Sequence, residues 1–588
     1  MAMMNVMDAV VKVMEDEGVE YAFGVPGAAI LPLYQALAKS TQIKHLSVRH
    51  EEGGTHAADA YARVTGKVGI NIGTSGPAGT NMITGLYTCQ ADSIPMICIT
   101  GQAPTTVLHK EAFQAVDIVE IAKPVTKWAV QVKESAQLTW TFREAFRVAQ
   151  EGRPGPVLID LPLDVQKGAD IDFDPTRGGR LPWDRPAPNM KAIRQAVEMI
   201  LAAERPLLMP GGGVIIGDAA EAFMELAEYL QVPVSPTYMG KGSIPEDHPL
   251  FVGIVGLQTS QRHANAAFLE SDLVVGIGNR WAERHTGDLE TYRGDRKFVH
   301  VDIDPRQIGR VFQPDLGIVS DAKLALEGMR QVAGEMMQAR EPDAWAERVS
   351  ELRSTLLRKT DFDDVPIKPQ RVFREMNDFF DPDTVFLTAI GLYQIFSGQF
   401  QKTYKPRRYL CCGQAGPLGW EVPGCIGAKL GVPDNLVVGV VGDYSFQFLM
   451  EEIAVAVQYR VPYVLVMLNN GYMGLIRQAE LNYDINYAVD LAYEGPSSDY
   501  GIDNVMVMEA MGALGRRVTD PGEIQAALEW AVRASEERRV PALVEIMCER
   551  ETNAAMGVSI AKINEYEPVL NGAEEAAGEV VGAVPDRD

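Results

Sequence analysis

The alternation of short apolar runs with longer segments of helical periodicity constrains the fold of this chain more than any other feature. The runs are four to six residues long and largely apolar, which is typical of parallel strands buried on both faces. They predict strands at residues 68–72, 96–100, 157–161, 207–210, 273–277, 299–303, 385–388, 436–441 and 463–468. Helical patterns lie between some of them, at 190–204, 219–230 and 524–536. The alternation predicts an α/β fold in which helices cover parallel sheets.

Two polar segments divide the chain into three predicted domains. The first segment, at 170–189, contains the run PTRGGRLPWDRPAPN, and the second, at 340–369, is charged and ends in DDVPIKP. We therefore expect three doubly wound parallel-sheet domains of ordinary size, at 1–180, 190–345 and 366–565. The tail at 571–588 is rich in Gly, Ala and Glu and is expected to be disordered.

Composition disfavours several kinds of partner. The formal net charge of −25 argues against binding to nucleic acid or to anionic membranes. The longest uncharged stretch, at 68–91, is too rich in Gly, Thr and Ser to span a membrane. Residues 1–18 have the spacing of an amphipathic helix and not of a signal sequence. No pair of the six cysteines has metal-ligand spacing. No secretory context favours disulfides either, so we expect a cytoplasmic protein.

The most informative motif lies between two predicted strands near the carboxyl end. One strand ends at Gly442 and is followed by Asp443, a helical pattern at 446–459 comes next, and the second strand is followed by an Asn-Asn pair that ends at Asn470. Ligands bind at the carboxyl ends of parallel strands. A carboxylate and an amide oxygen suit Mg²⁺, and the amides of Ser445 and Phe446 can face a phosphate. The alternative is an ordinary pair of turns in a βαβ unit.

The amino-terminal third has a candidate carboxylate and two Gly-rich turns. Glu51 stands in the segment RHEEG, between a predicted strand at 45–48 and a helix. An acidic pair at a helix start is also common on protein surfaces, which is the alternative here. The segment GVPGA, with Pro26 and Gly27, and the segment GTSGPAGT at 73–80 are turns in which the backbone can approach a ligand closely.

The central third has glycines at strand ends and an acid at the end of another strand. Gly276 and Gly278 follow one predicted strand, Gly211 and Gly212 follow a second, and Asp302 ends a third. This layout is typical of a dinucleotide crevice. The alternative is an inherited fold whose crevice is empty.

Taken together, these motifs resemble the fingerprint of the thiamine-diphosphate enzymes, although Tyr444 replaces the last Gly of its Gly-Asp-Gly element. The resemblance implies that Asp443, Asn470 and the carbonyl of Tyr472 hold Mg²⁺ on the cofactor diphosphate. It implies that Glu51 forms a hydrogen bond with the aminopyrimidine and so activates the cofactor. Leu418 matches the apolar residue that keeps the cofactor bent.

The resemblance extends from about residue 6 to 564 and is strongest to the acetolactate-synthase branch, in particular to glyoxylate carboligases (tartronate-semialdehyde synthases). Shared stretches include LHKEAFQAVDI, GIGNRWAERHTG and CGQAGPLGW. They imply that Phe113 and Gln114 line the reacting centre and that Arg284 lies near a substrate carboxylate, with a surface salt bridge as the alternative for Arg284. They also imply an FAD without a net redox role. Its expected contacts are Gly211, Gly212, Gly276, Gly278, Arg280, Asp302 and Asp321.

Two residues give opposite indications about the substrate, a small 2-oxo acid. Acetolactate synthases usually carry Trp where this chain has Ala479, so its absence favours glyoxylate, converted to tartronate semialdehyde and CO₂. Well-known glyoxylate carboligases, however, carry valine where this chain has Glu51. The chain is thus a carboligase that retains the usual activator, an engineered reversion, or an enzyme with another donor, such as an acetolactate synthase acting on pyruvate. A flavin-dependent pyruvate oxidase and a non-catalytic scaffold are further alternatives.

The resemblance also implies how subunits assemble. In this superfamily the residues matched by Glu51 and Asp443 act together from different subunits. A homodimer is therefore the expected minimal active unit, and a homotetramer is the expected assembly.

Overall fold

The computed structural model describes residues 2–173, 179–482, 485, 491–492 and 500–570. Three parallel sheets flanked by helices follow one another along the chain, which confirms the predicted α/β class. The tail at 571–588, expected to be disordered, lies outside the described residues. Within the described part of the chain, no helix is long and apolar enough to cross a membrane.

The amino-terminal sheet has six parallel strands. Their spatial order is Lys44–Ser47, Tyr21–Gly24, Gly69–Gly73, Met96–Gln102, Pro156–Pro162, Trp128–Gln131. The α-helices of this region are Val6–Asp16, Leu31–Leu37, Glu51–Thr65, Pro77–Asn81, Ile83–Asp92, Ile118–Ala122, Leu138–Gln150 and Leu163–Gln166. Successive strand residues face opposite sides, so Ile97 and Ile99 pack in one apolar cluster while Met96 and Cys98 pack in another. Burial on both faces explains why these strands read as continuous apolar runs.

The carboxy-terminal sheet also has six parallel strands. Their spatial order is Tyr409–Cys411, Val385–Thr388, Val437–Gly442, Val464–Asn469, Ala542–Met547, Leu514–Val518. The α-helices of this region are Pro369–Phe379, Leu392–Phe400, Glu421–Gly431, Asp443–Phe446, Glu452–Tyr459, Gly474–Asn482, Asn504–Ala510 and Ile524–Arg538.

One predicted helix of this domain is interrupted. The helical pattern expected at 446–459 forms only from Glu452 to Tyr459, and a separate short helix ends at Phe446. Between them, the amide of Phe448 donates to the carbonyl of Ser445, three residues earlier. A Cβ on Gly419 would lie 2.8 Å from that of Phe448. This close tertiary contact accompanies the break, and sequence periodicity cannot reveal it.

The central sheet has four parallel strands. Their spatial order is Leu316–Val319, Lys297–Asp302, Leu273–Ile277, Pro206–Pro210. The α-helices of this region are Met190–Ala202, Gly212–Ile216, Ala220–Leu230, Arg262–Glu270, Glu283–Thr286, Leu289–Arg293 and Ala322–Met336.

The predicted linker at 340–369 contains a helix, Ala344–Thr355. Its apolar residues Trp345, Val349 and Leu352 are buried in a cluster with residues of the central domain. The indole of Trp345 also donates a 2.9 Å hydrogen bond to the carbonyl of Pro206. Charged residues dominate the segment and conceal this apolar face from a composition argument. The domain boundaries themselves stay predictions.

The amino- and carboxy-terminal domains of one chain pack together through the helices Glu51–Thr65 and Glu421–Gly431. A Cβ on Gly427 would lie 1.8 Å from the carbonyl oxygen of Ala57, so only glycine permits this approach. The indole of Trp420 donates a 2.7 Å hydrogen bond to the buried carboxylate of Asp59. The two helices thereby fix the relative position of the two six-stranded sheets.

Candidate active site

Glu51 is the first residue of the helix Glu51–Thr65. Asn81 donates a 2.9 Å hydrogen bond to its Oε2, and Asn71 donates a 3.2 Å hydrogen bond to its backbone carbonyl. Residues of the amino-terminal domain therefore orient the Glu51 carboxylate, and Asn81 fixes its Oε2. Sequence reasoning identified Glu51 but missed both asparagines, which stand near the Gly-rich turn at 73–80.

A second carboxylate supports the segment before Glu51. Oε1 of Glu452 accepts hydrogen bonds of 2.9 Å from the amides of both Arg49 and His50. Burial raises the pKa of Glu452 to about 7. A Cβ on Gly53 would lie 2.5 Å from the Glu452 carboxylate, so glycine is needed there. Sequence reasoning missed Glu452; the available signal was an acid at the start of an apolar helical pattern, EEIAVAV.

The two predicted Gly-rich turns lie side by side, next to Glu51. A Cβ on Gly27 would come within 2.5 Å of that of Thr74, so the Thr74 side chain packs directly on the backbone of Gly27. A Cβ on Gly73 would lie 3.6 Å from Cγ of Glu51. Pro26, in the first turn, is exposed. The structure therefore brings the predicted turns and the predicted carboxylate together.

Of the two predicted site residues Phe113 and Gln114, the first lies on the surface and the second lies against the Gly-rich turn. The carboxamide oxygen of Gln114 lies 3.4 Å from the hydroxyl of Ser75, and a Cβ on Gly76 would meet Gln114 at 2.9 Å. The neighbouring Phe113 is 85 % exposed in the single chain. Only Gln114 is thus packed against the candidate site within one subunit.

Asp443 and Asn470 lie at the same edge of the carboxy-terminal sheet. Gly442 pairs with Leu468 in the adjacent parallel strand, so the residues that follow both strands are neighbours. Asp443 is buried. The side-chain nitrogen of Asn470 donates a 3.1 Å hydrogen bond to the carbonyl of Arg550, so the carboxamide oxygen of Asn470 points away from Arg550. One carboxylate and neutral oxygens form a donor set that suits Mg²⁺.

The other asparagine of the pair, Asn469, has a structural role. Its Oδ1 accepts a 3.0 Å hydrogen bond from the amide of Gly471, and its Nδ2 donates at 2.8 Å to buried Glu545. These bonds hold the turn that places Asn470 and Tyr472. The carbonyl of Tyr472 also accepts a 2.8 Å hydrogen bond from the amide of Gly474, and its second lone pair can serve a metal.

The segment that carries Leu418 is hydrogen-bonded to the short helix Asp443–Phe446. The hydroxyl of Ser445 accepts a 2.9 Å hydrogen bond from the amide of Gly419 and donates at 3.2 Å to Glu421. Leu418 is half-buried, and the side chain of Phe446 is fully buried. Phe446 can therefore offer a phosphate only its backbone amide.

A cavity of about 350 Å³ lies where the central domain meets residues of the other two. Predicted residues that line it are Gly212, Gly278, Arg280, Arg284, Asp302 and Asp321. Two other predicted contacts, Gly211 and Gly276, are not among its lining residues. A Cβ on Gly211 would lie 2.2 Å from the carbonyl of Gly278, and one on Gly276 would lie 2.4 Å from the ring of Trp281. These two glycines permit close packing behind the cavity wall.

The chemistry of the cavity wall suits an anionic dinucleotide. The lining has more basic than acidic side chains: six arginines, Arg63, Arg153, Arg185, Arg280, Arg284 and Arg407, against four aspartates, Asp92, Asp218, Asp302 and Asp321. The side-chain carboxamide nitrogen of Asn279 is buried and has no hydrogen-bond partner among the described residues. Burial raises the pKa of Asp302 to about 6, and Asp321 caps the helix Ala322–Met336. A ligand with diphosphate and polar ring groups would satisfy these residues.

Arg284 is held by neutral oxygens. Its Nε donates at 2.8 Å to the carboxamide oxygen of Gln258, and its Nη2 lies 3.4 Å from that of Gln394. Among the described residues it forms no salt bridge, which argues against the surface ion pair considered from sequence. A guanidinium fixed by neutral partners keeps its charge for an anion.

Comparison with known proteins gives matches along most of the chain. The chain matches the models "Thiamine pyrophosphate enzyme, N-terminal TPP binding domain" over residues 4–121, "central domain" over 193–329 and "C-terminal TPP binding domain" over 389–546. It is 50 % identical to "Glyoxylate carboligase" of Escherichia coli O157:H7, over 98 % of this chain and 99 % of that protein. It is 38 % identical to "Probable acetolactate synthase large subunit" of Methanococcus aeolicus, over 91 % of each chain. It is 36 % identical to "Acetolactate synthase large subunit" of Corynebacterium glutamicum, over 99 % of this chain and 94 % of that one.

Proposed function

Because this chain belongs to the thiamine pyrophosphate enzymes, we propose that it decarboxylates glyoxylate and joins the remainder to a second glyoxylate, giving tartronate semialdehyde and CO₂. The observation that carries the proposal is the likeness to a glyoxylate carboligase, 50 % identical across nearly the whole chain. The acetolactate synthases compared with it reach 36–38 %.

The residues at the carboxyl ends of the carboxy-terminal strands fit the diphosphate end of the cofactor. Asp443, Asn470 and the Tyr472 carbonyl are proposed to hold Mg²⁺, since all three offer hard oxygens. The amides of Ser445 and Phe446, in a short helix that follows Gly442, are proposed to face the phosphates. When bound, thiamine diphosphate supplies the carbon nucleophile and the electron sink that decarboxylation needs.

Glu51 is proposed to hold a proton between its carboxyl group and the aminopyrimidine ring nitrogen. Asn81 fixes its Oε2 at 2.9 Å, which leaves Oε1 for the cofactor. We expect apolar side chains around Leu418 to enclose the reacting atoms of cofactor and substrate and so to exclude water from them. In this proposal the chain is a carboligase that retains the superfamily's usual activating glutamate.

Arg284 and Gln114 are proposed to bind the substrate, and Phe113 to complete the site. The fixed guanidinium of Arg284 suits the glyoxylate carboxylate. Gln478 is buried and exchanges two hydrogen bonds, of 2.7 and 3.0 Å, with the backbone of Ala554. This clamp fixes the start of the segment in which Ala479 stands, where a Trp would take up more space. The small side chain therefore suits a small acceptor.

FAD is proposed to occupy the arginine-lined cavity and to support the fold around it. The lining glycines, the basic side chains and the unpaired Asn279 amide support this assignment. No electron transfer is assigned to it. Anaerobic substrate that bleaches the flavin would instead indicate an oxidase.

The deciding experiment is product analysis by NMR, with purified protein, thiamine diphosphate, Mg²⁺ and FAD. Glyoxylate and pyruvate are offered separately. We expect tartronate semialdehyde and CO₂ from glyoxylate, with little product from pyruvate. Acetolactate from pyruvate, with no reaction of glyoxylate, would overturn the proposal and favour the acetolactate synthase that Glu51 allows.

The proposed active unit is a homodimer, within a homotetramer in the cytoplasm. Mixing two inactive variants tests it: Glu51→Gln and Asp443→Asn, allowed to exchange subunits. If each site takes Glu51 from one subunit and Asp443 from the other, mixed dimers have one intact site and about a quarter of the wild-type activity returns. Sites built within one chain would give no recovery.

A further inference from the structure

Glu421 is a fully buried carboxylate that no step proposed above uses. Its Oε1 accepts a 3.0 Å hydrogen bond from the amide of Ala389 and a short one from the hydroxyl of Tyr393. Its Oε2 accepts a 3.2 Å hydrogen bond from the hydroxyl of Ser445. Three donors converge on one side chain, and all of them stand near the carboxyl ends of strands.

These donors belong to separate elements around the diphosphate site. Ala389 directly follows the strand Val385–Thr388, and Ser445 lies in the short helix that begins at Asp443. Glu421 itself is the first residue of the helix that follows the Leu418 segment. One carboxylate thus connects the ends of two adjacent strands with the segment expected to keep the cofactor bent.

The hydroxyl of Ser445 is committed to this network. It donates to Glu421 and accepts from the amide of Gly419, so its single proton is already used. A phosphate could take that proton only by breaking the bond to Glu421. What Ser445 offers a phosphate is its backbone amide, whose position the network fixes.

Tyr393 extends the network to the turn before Asp443. A Cβ on Gly442 would lie 2.7 Å from the Tyr393 ring, and one on Gly391 would lie 2.5 Å from it. The ring therefore packs directly on both backbones. Because Glu421 holds the hydroxyl of Tyr393, it also fixes the ring that backs these two glycines.

We propose that Glu421 is a positioning residue for the diphosphate of the thiamine cofactor. It acts through Ser445, Tyr393 and the backbone of Ala389, and does not itself touch the cofactor. The proposal rests on membership of the thiamine pyrophosphate enzymes and not on glyoxylate as the substrate.

Positioning and simple charge predict opposite effects of neutralising this residue. A buried negative charge near an anionic diphosphate weakens binding, so its removal would tighten binding if charge dominated. If positioning dominates, removal leaves buried donors unsatisfied and loosens the site. Burial raises the pKa of Glu421 to about 7, and the hydrogen bonds from Tyr393, Ala389 and Ser445 oppose only part of that rise. Because three donors from the surrounding backbone and side chains converge on this carboxyl group, we expect positioning to dominate.

The test is a direct titration of the Glu421→Gln variant with thiamine diphosphate at saturating Mg²⁺, followed by tryptophan fluorescence or calorimetry. A glutamine cannot accept from all three donors, because its NH₂ group faces at least one of them. We expect the dissociation constant of thiamine diphosphate to rise about tenfold. With saturating cofactor, kcat and the KM for substrate are expected to change less than about threefold.

Two further variants make the result decisive. Tyr393→Phe removes one donor but keeps the ring, and we expect a rise of about threefold. The matched control is Glu375→Gln, a buried carboxylate of the same domain whose partners are Arg371 and Gln525; cofactor affinity is expected to stay at the wild-type value. Thermal unfolding of the apoproteins shows whether each variant folds.

Unchanged or tighter binding of thiamine diphosphate by Glu421→Gln would overturn the proposal. If that variant does not fold, unchanged affinity in Tyr393→Phe would overturn it. Because the titration needs no substrate, it tests the role of Glu421 even if glyoxylate is not the substrate, so the two proposals can fail independently.

Discussion

The two six-stranded sheets share one strand order but carry different chemistry. When the strands of each six-stranded sheet are numbered along the chain, both sheets have the spatial order 2-1-3-4-6-5. In each domain, the first long helix after the second strand begins with a glutamate: Glu51 in the amino-terminal domain and Glu421 in the carboxy-terminal one. These two helices are also the pair that packs the domains together.

The two glutamates differ in their partners. Oε2 of Glu51 accepts from Asn81, and the side chain is only partly buried. Glu421 is fully buried and accepts from Ala389, Tyr393 and Ser445. One fold position thus gives a carboxylate that can serve a ligand and, in the other domain, one committed to structure. The neighbours that converge on a position decide its chemistry, and the strand order does not.

The largest effect is expected at the carboxy-terminal site, where the cofactor is proposed to be bound. Asp443→Asn removes the one charged ligand of the proposed Mg²⁺ site. We expect activity to fall by at least about a thousandfold and cofactor binding to become undetectable by calorimetry at micromolar concentrations. EDTA treatment of the wild type is expected to have the same effect, reversed by Mg²⁺. Tight cofactor binding by the variant would contradict the proposal that the carboxy-terminal domain binds the cofactor while Glu51 of the amino-terminal domain activates it.

A smaller effect, of a different kind, is expected at the amino-terminal site. Glu51→Gln keeps the size of the side chain but cannot hold a proton as a carboxyl group does. We expect kcat to fall about a hundredfold to a thousandfold, while the cofactor dissociation constant changes less than about fivefold. Hydrogen–deuterium exchange at C2 of bound thiamine diphosphate is expected to slow in parallel. Exchange as fast as in the wild type would show that Glu51 is not the activator.

The sequence predicted the parts of both sites that are local. Asp443 and Asn470 directly follow apolar strands, and Glu51 stands between a strand and a helix, so short-range pattern together with the family resemblance was enough to propose them. Glu452 contacts Arg49, some 400 positions earlier in the chain, and Glu421 accepts from donors at 389 and 393 on one segment and at 445 on another. Such contacts arise from tertiary packing, and residue spacing along the sequence does not predict them.

Tertiary neighbours also distinguish the glycines of the central domain from one another. Glycines at strand ends lie at or behind the wall of one cavity, and pattern alone could not separate those that line it from those that pack behind it. Gly278 lines the cavity, whereas Gly276 makes room for the Trp281 ring. Both have the same sequence signal and differ only in the neighbour that approaches them.

An intermediate effect is expected when the orientation of Glu51 is disturbed. Asn81→Ala removes the hydrogen bond to Oε2 and leaves the carboxyl group itself in place. We expect kcat to fall about three- to tenfold, the range that one such bond contributes, with cofactor affinity unchanged. Steady-state kinetics at saturating cofactor measure this. A loss as large as that of Glu51→Gln would mean that Asn81 itself contacts the reacting groups.

The smallest effect concerns the pH dependence of stability, through Glu452, which supports the backbone before Glu51. Burial raises its pKa from the ordinary 4.5 to about 7, although the amides of Arg49 and His50 partly oppose this. Between these two values the folded protein binds more protons than the unfolded chain, so this residue's contribution to stability is greatest below pH 4.5 and is lost as the pH rises through 7. We expect the apoprotein to lose stability from pH 5 to 8, by about 1–3 kcal/mol for this group, and Glu452→Gln to remove that part of the slope. Urea unfolding at both pH values measures the difference. An identical slope in the variant would show that the carboxyl group gains enough from the two amides to ionise freely, and its support of Glu51 would then be independent of pH.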